Sequence, residues 1–136
     1  MATIKRFEDI TAWQKARELA KKVHHVSSQG KFARDFDFRN QINRACGSVM
    51  DNIVEGFGRG GKNEFVNFLS IAKGSCNEAK SQLYRALDKE YISQIEFDNL
   101  YPIADETNKL INGLMEYLNK SIISGQKFKN RNQAFN

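Results

Sequence analysis

Residues that staple, bend or ligate a chain are scarce here. Two cysteines, Cys46 and Cys76, cannot build a disulfide framework. A chain of 136 residues buries roughly two-thirds of its unfolded surface, so a single domain holds a core without a bridge or a structural metal, and two large domains are excluded. There is one proline, Pro102, and one tryptophan, Trp13. The only histidines, His24 and His25, are adjacent and on a helix point about 100° apart, so they cannot share one ion from one face. Glu-x-x-His, the signature of two-metal helical bundles, does not occur. No apolar run approaches the roughly 18 to 20 residues of a membrane span, and no charged-then-apolar leader follows Met1-Ala2-Thr3, so a soluble, unexported, cytoplasmic protein with no membrane partner is expected.

What is present is helix-forming sequence with an uneven charge. Residues 1–62 hold 12 basic and 7 acidic side chains, residues 63–119 hold 5 and 9, and residues 120–136 hold 4 and none, so the excess of +5 sits at the two ends. Residues 124–136 mix Lys127, Lys129 and Arg131 with polar residues and two isolated phenylalanines, too little apolar surface to order a segment, and read as a basic, disordered tail after a domain over 1–123. A pI near 9.3 fits an anionic partner. A tail that serves only solubility is the alternative.

Apolar residues recur at helical spacing from end to end, which predicts an all-α chain of four helices. The first runs from Asp9 or Thr11 to Ser28 with Ile10, Trp13, Ala16, Leu19, Ala20, Val23 and Val26 on one face, and Gly30 ends it. The second starts near Asp35 or Asp37 and continues to about Phe57. After the glycine-rich run 56–62, Asn63 is the expected cap of a third helix reaching about Glu90. Residues 91–93 turn the corner, and the fourth helix, starting between Ser93 and Glu96, takes Pro102 in or near its first two turns. Long helices joined by short loops pack as antiparallel neighbours, an up-and-down four-helix bundle.

Candidate catalytic features fail on context. Residues 56–62 have the G-x-x-x-x-G-K spacing of a phosphate-cradling loop, but Asn63 stands where a magnesium-binding Ser or Thr belongs, and the preceding segment is helical in period. The run reads as an inter-helix turn exposing Arg59 and Lys62, residues still able to meet a phosphate. Cys46 and Cys76 fall on apolar stripes as buried small hydrophobes. No catalytic residue, metal ligand or cofactor is expected.

At 100° per residue, Gln41, Arg44, Ser48, Asn52 and Glu55 occupy roughly an 80° arc beside the apolar face of the second helix. The third helix repeats the arrangement with Ser75, Glu78 and Gln82. A charge half-inserted between helices needs a partner, and the expected pairing is Arg44 with Glu55 or Glu78. The stripes are either a polar layer that fixes register or lines a subunit contact, or plain solvated faces. Surplus apolar residues, Met50, Val54, Phe57, Val66 and Ile71, point to further surface covered by self-association.

The segments 7–16, 41–45, 48–56 and 65–75 followed by Glu78 resemble the bacterial four-helix-bundle family encoded in intervening sequences of 23S ribosomal RNA genes, over about residues 4–120. Asn52-Ile-x-Glu55-Gly56 followed by Ala72-x-Gly74-Ser75-x-x-Glu78 is the most specific piece. Asn43 departs from the pattern where a second Arg is common, which weakens phosphate binding at that point. The resemblance implies a ring-like homopentamer with no catalytic activity, and kinship with the accessory proteins of diversity-generating retroelements, basic rings that associate with nucleic acid and with a reverse transcriptase. It assigns Gln41, Arg44, Ser48, Asn52, Glu55, Gly56, Gly74, Ser75 and Glu78 as family positions with a structural role.

The expectation is therefore a non-enzymatic homo-oligomer that associates with RNA or DNA through basic patches. Candidate contacts are Lys5, Arg6, Lys15, Lys21, Lys22, Arg59, Lys62, Lys127, Lys129 and Arg131. On the first helix Lys15, Glu18 and Lys22 have the spacing to pair with one another, which makes that face a salt-laced surface instead. The alternative function is a scaffold for a protein partner such as a polymerase or reverse transcriptase, docked on the surface of residues 63–119.

Overall fold

A computed structural model describes the backbone of residues 4–132 and the side chains of residues 4–120, and every regular element in it is helical. A 3-10 turn, Phe7–Asp9, leads into α1 (Thr11–Ser27), a short α2 (Gly30–Arg34), α3 (Phe36–Gly58), α4 (Lys62–Asp88) and α5 (Gln94–Asn132). The four long helices are those expected, and α2 is an addition. Gly30 does not end α1; at φ 56° it opens α2. The stop comes earlier, where the Ser27 and Ser28 hydroxyls donate to the His24 carbonyl at 3.2 and 2.7 Å and compete for an acceptor the helix would use.

Each remaining boundary has a visible cause. Asp35 caps α3 as expected, its Oδ1 accepting from the Phe38 amide at 3.2 Å. Asn63 does not cap α4: Gly60, at φ 81°, reverses the chain and leaves Gly61 extended, so the helix begins at Lys62 with Asn63 already inside it. Glu90 at φ 59° ends the run after α4, with the Tyr91 amide reaching back to the Ala86 carbonyl at 2.9 Å. Ser93 and Glu96 then form a reciprocal capping box at the start of α5, with bonds of 2.8 and 3.1 Å. The backbone of α5 continues past residue 123 to Asn132. The tail expected to be disordered, residues 124–136, thus has a helical backbone as far as Asn132, while its side chains and residues 133–136 lie outside the described residues.

Helix α1 packs on α3 and α5, and α4 packs on α3 and α5, so each long helix has two long neighbours. The core divides along the bundle axis. One cluster gathers the end of α1, α2, the start of α3, the end of α4 and the start of α5 around Phe32, Leu19, Ile42 and Leu83. The other gathers the start of α1, the end of α3, the start of α4 and later α5 around Ile53, Leu69 and Ile111. Each of these side chains is fully buried, worth about 1.5–3 kcal/mol apiece.

Candidate functional site

The polar stripes of α3 and α4 meet. Ser48 Oγ lies 2.9 Å from Ser75 Oγ, and Asn52 Nδ2 donates to the Ser48 carbonyl at 2.8 Å and to its hydroxyl at 2.9 Å. All three side chains are half-buried, so slipping α3 along α4 by one turn strands these groups. Gly56 continues the same seam: a Cβ there meets the Phe68 Cβ at 2.6 Å and the Phe65 ring at 3.0 Å, so the corner closes only over glycine. Ser48, Asn52, Gly56 and Ser75 therefore line the seam where α3 meets α4, which agrees with the first of the two readings of the stripes.

The outer part of the stripe is different. Gln41, Arg44, Ala45, Ser48, Ser75 and Glu78 line a surface hollow of about 160 Å³. The expected ion pair of Arg44 is not formed: Glu55 takes Arg59 at 2.8 Å, since it stands about 16 Å along α3 from Arg44, and Glu78 remains exposed. Arg44 makes no ion pair among the described residues. Gly47 and Gly74 border open space, so a side chain there meets nothing within 4 Å. Gln82, one turn beyond Glu78, is buried with its Oε1 unpartnered among the described residues.

The candidate phosphate contacts do not form one patch. Lys5 and Arg6 lie between Ile4 and Phe7, which pack with Phe57 on the Ile53 cluster, and thereby share one end of the bundle with Arg59 and Lys62. Arg6 lies 3.7 Å from both Glu8 and Asp9, and Arg59 also stacks over Phe68 at 5.1 Å. Burial holds the Lys62 ammonium below the usual lysine value. Lys15 is drawn into carboxylates, 3.0 Å from Glu18 and 3.4 Å from Glu106, and the Glu18 bond holds its ammonium above the ordinary value. Lys22 reaches Glu18 at 3.2 Å, so the α1 face is salt-laced, as its spacing allows. Lys21 is exposed with no ion pair among the described residues. Lys127, Lys129 and Arg131 lie outside the described side chains.

The features tested for chemistry are structural. Gly56 and Gly58 belong to α3 and Lys62 to α4, so the phosphate-loop spacing sits on helix, corner, helix with no strand before it. Burial pushes the thiols of Cys46 and Cys76 up to about 12 and about 11, which keeps them protonated at neutral pH. Among the described residues no group of three or more His, Cys, Asp and Glu is placed to hold a metal, and no helix is long and apolar enough to cross a membrane.

An aromatic patch escaped the sequence reading. Tyr84 of α4 packs against Phe97 and Tyr101 of α5 at ring separations of 4.9 and 5.3 Å and is half exposed. Lys80 stands over Tyr101 at 5.3 Å and binds Asp105 at 3.1 Å. Ile95, also on the first turn of α5, is 74% exposed. Both Tyr84 and Ile95 lie outside the apolar arcs, and that mismatch was the available signal.

A family profile described as 23S rRNA-intervening sequence protein matches residues 8–113. The chain is also similar to a crystal structure from Bacteroides thetaiotaomicron, described as a protein with unknown function from the S23 ribosomal protein family. The two are 25% identical with a TM-score of 0.71, over 78% of this chain and 96% of that one. No curated protein matches the chain.

Proposed function

The chain belongs to the 23S rRNA-intervening sequence protein family, and from that premise we propose a non-enzymatic, cytoplasmic homo-oligomer that associates with nucleic acid through basic surface. The observation that carries the reading is the gathering of Lys5, Arg6, Arg59 and Lys62 at the end of the bundle where the glycine corner lies. Asp9 beside Arg6 and Glu55 beside Arg59 are exposed carboxylates, and exposed ion pairs are worth about 0–1 kcal/mol, so a phosphate replaces a carboxylate at these two arginines at little cost. A few such contacts are weak in one chain and become useful when several copies present them together.

The outer stripe of α3 and α4 supports self-association. Arg44 and Glu78 are opposite charges with no ion pair among the described residues on one hollow, next to the open Gly47 and Gly74, and Ile71 on α4 is 52% exposed. A second copy offers such counter-charges, and the resemblance supports an assembly of five copies. Native mass spectrometry of gently purified protein at low salt tests both parts. Expected are a mass near five times the 15.6 kDa chain and bound nucleic acid that is lost as salt rises. A bare monomer, or binding indifferent to salt, overturns the reading.

The half-exposed Tyr84, packed on Phe97 and Tyr101, favours one second reading, a scaffold that docks a protein such as a polymerase or reverse transcriptase. Tyr84→Ala separates the two, abolishing partner capture while leaving nucleic-acid binding intact.

A further inference from the structure

The seam between α1 and α5 is bridged at Lys15 and Glu106 and opens toward the Phe32 end of the bundle. There it widens into a groove of about 960 Å³, within the range of sites for organic ligands. Val26, Leu100 and Ile103 supply apolar surface, Lys21, Lys22, His24 and His25 line the α1 side, and Glu96 and Asn99 line the α5 side. Both histidines of the chain are therefore here, and its only proline, Pro102, sits on α5 between Leu100 and Ile103.

The acids of the groove are already engaged. Glu18 is held by Lys15 at 3.0 Å and Lys22 at 3.2 Å, bonds that keep its carboxyl below the usual range, and Glu96 accepts from the Ser93 amide at 2.8 Å. Lys21 and the two exposed imidazoles remain, His25 with one nitrogen 3.0 Å from the Gln29 amide. An apolar floor with hydrogen-bond donors along one rim complements a flat ring joined to an anion.

We infer that this groove takes an unpaired nucleotide of a nucleic-acid strand, its base against Val26, Leu100 and Ile103 and its phosphate against Lys21, with His24 one turn further along the same wall. The inference rests on the nucleic-acid reading above and adds a requirement to it. Phosphate contacts alone accept single and double strands, whereas a duplex keeps its bases stacked and cannot fill the groove.

The test is fluorescence anisotropy of the full chain at low salt with a short, unstructured, fluorescein-labelled RNA, alone and annealed to its complement. The single strand is expected to bind about fivefold more tightly, the effect of about 1 kcal/mol of apolar contact with one base. Asn99→Trp, at an exposed position, fills the groove without changing charge and is expected to erase that preference while leaving duplex binding as it was. Lys21→Gln, on the opposite wall, is expected to weaken single-strand binding more than duplex binding and serves if Asn99→Trp does not fold. Equal binding of both strands by the natural chain, or a preference that survives both substitutions, overturns the groove and leaves the nucleic-acid reading standing. Binding of neither strand overturns that reading and the groove with it.

Discussion

The two halves of the core are equally dry and are closed by opposite means. Around Phe32, side chains reach across the bundle: the ring lies 5.5 Å from Phe38 and 5.2 Å from Tyr91, the Tyr91 hydroxyl donates to Asp35 at 2.6 Å, and Asn43 donates to Ser27 at 2.9 Å. Around Gly56, closure comes from a missing side chain, which lets the first turns of α4 approach the last turns of α3. A half tied by directional bonds holds its shape beside an open groove. A half closed by close approach tolerates changes of charge around it, and there the glycine corner carries Arg59 and Lys62. The comparison ties fixed geometry to the groove and adaptable charge to the corner.

The largest blow to the bonded half is Phe32→Ala, which leaves a cavity at a fully buried ring and is expected to cost about 4 kcal/mol by chemical denaturation. In the close-packed half, Gly56→Ala forces a methyl onto Phe68 and is expected to cost about 2 kcal/mol, with Phe68→Ala in the same chain recovering part of it. Recovery to nothing at all would mean that the corner is held by something other than close approach. Ser48→Ala removes the partner of Ser75 and of Asn52 and is expected to cost about 1 kcal/mol, shared by both halves because it acts on the register of α3 against α4.

The smallest effect sharpens the contrast through pH. The Tyr91 hydroxyl and then the Phe38 amide hold the Asp35 carboxyl below its ordinary value, so the stability it adds is fully present above an unfolded value of about 4 and is lost as pH falls through the lower folded one. Asp35 in turn raises Tyr91, whose contribution is present below its unfolded value of about 10 and is lost as pH rises through the raised folded one. In Tyr91→Phe both the alkaline and the acid loss should shrink, the alkaline one only in part because Lys15, Lys80 and Tyr84 are raised as well, read as thermal midpoint against pH. An unchanged profile would detach the bonded half from this pair.

Periodicity carried the long helices, because an apolar stripe is a property of neighbouring residues. It carried Asp35 as a cap for the same reason. The tertiary facts were less visible. Arg44 and Glu55 share an arc yet stand about 16 Å apart along the axis, a distance that a helical projection discards. The cap moved from Asn63 to Gly61 because Gly60 turns left-handed, and four glycines in the six residues 56–61 leave that choice open to the surrounding packing. The register role of Ser48 and Ser75 was legible as two facing stripes. The groove beside His24 and His25 was not, since it depends on how far α1 stands from α5 and on nothing within either helix.

The corner at residues 59–61 also bears on the order of events during synthesis. Ser48, Asn52, Gly56 and Ser75 all lie on α3 and α4, whose pairing encloses a very short connection, so little chain entropy opposes it and the contacts are local. α5 follows later in the chain. The register of α3 against α4 therefore rests on contacts within one local hairpin, which is expected to pair early, and α5 covers the surface that the two helices present together.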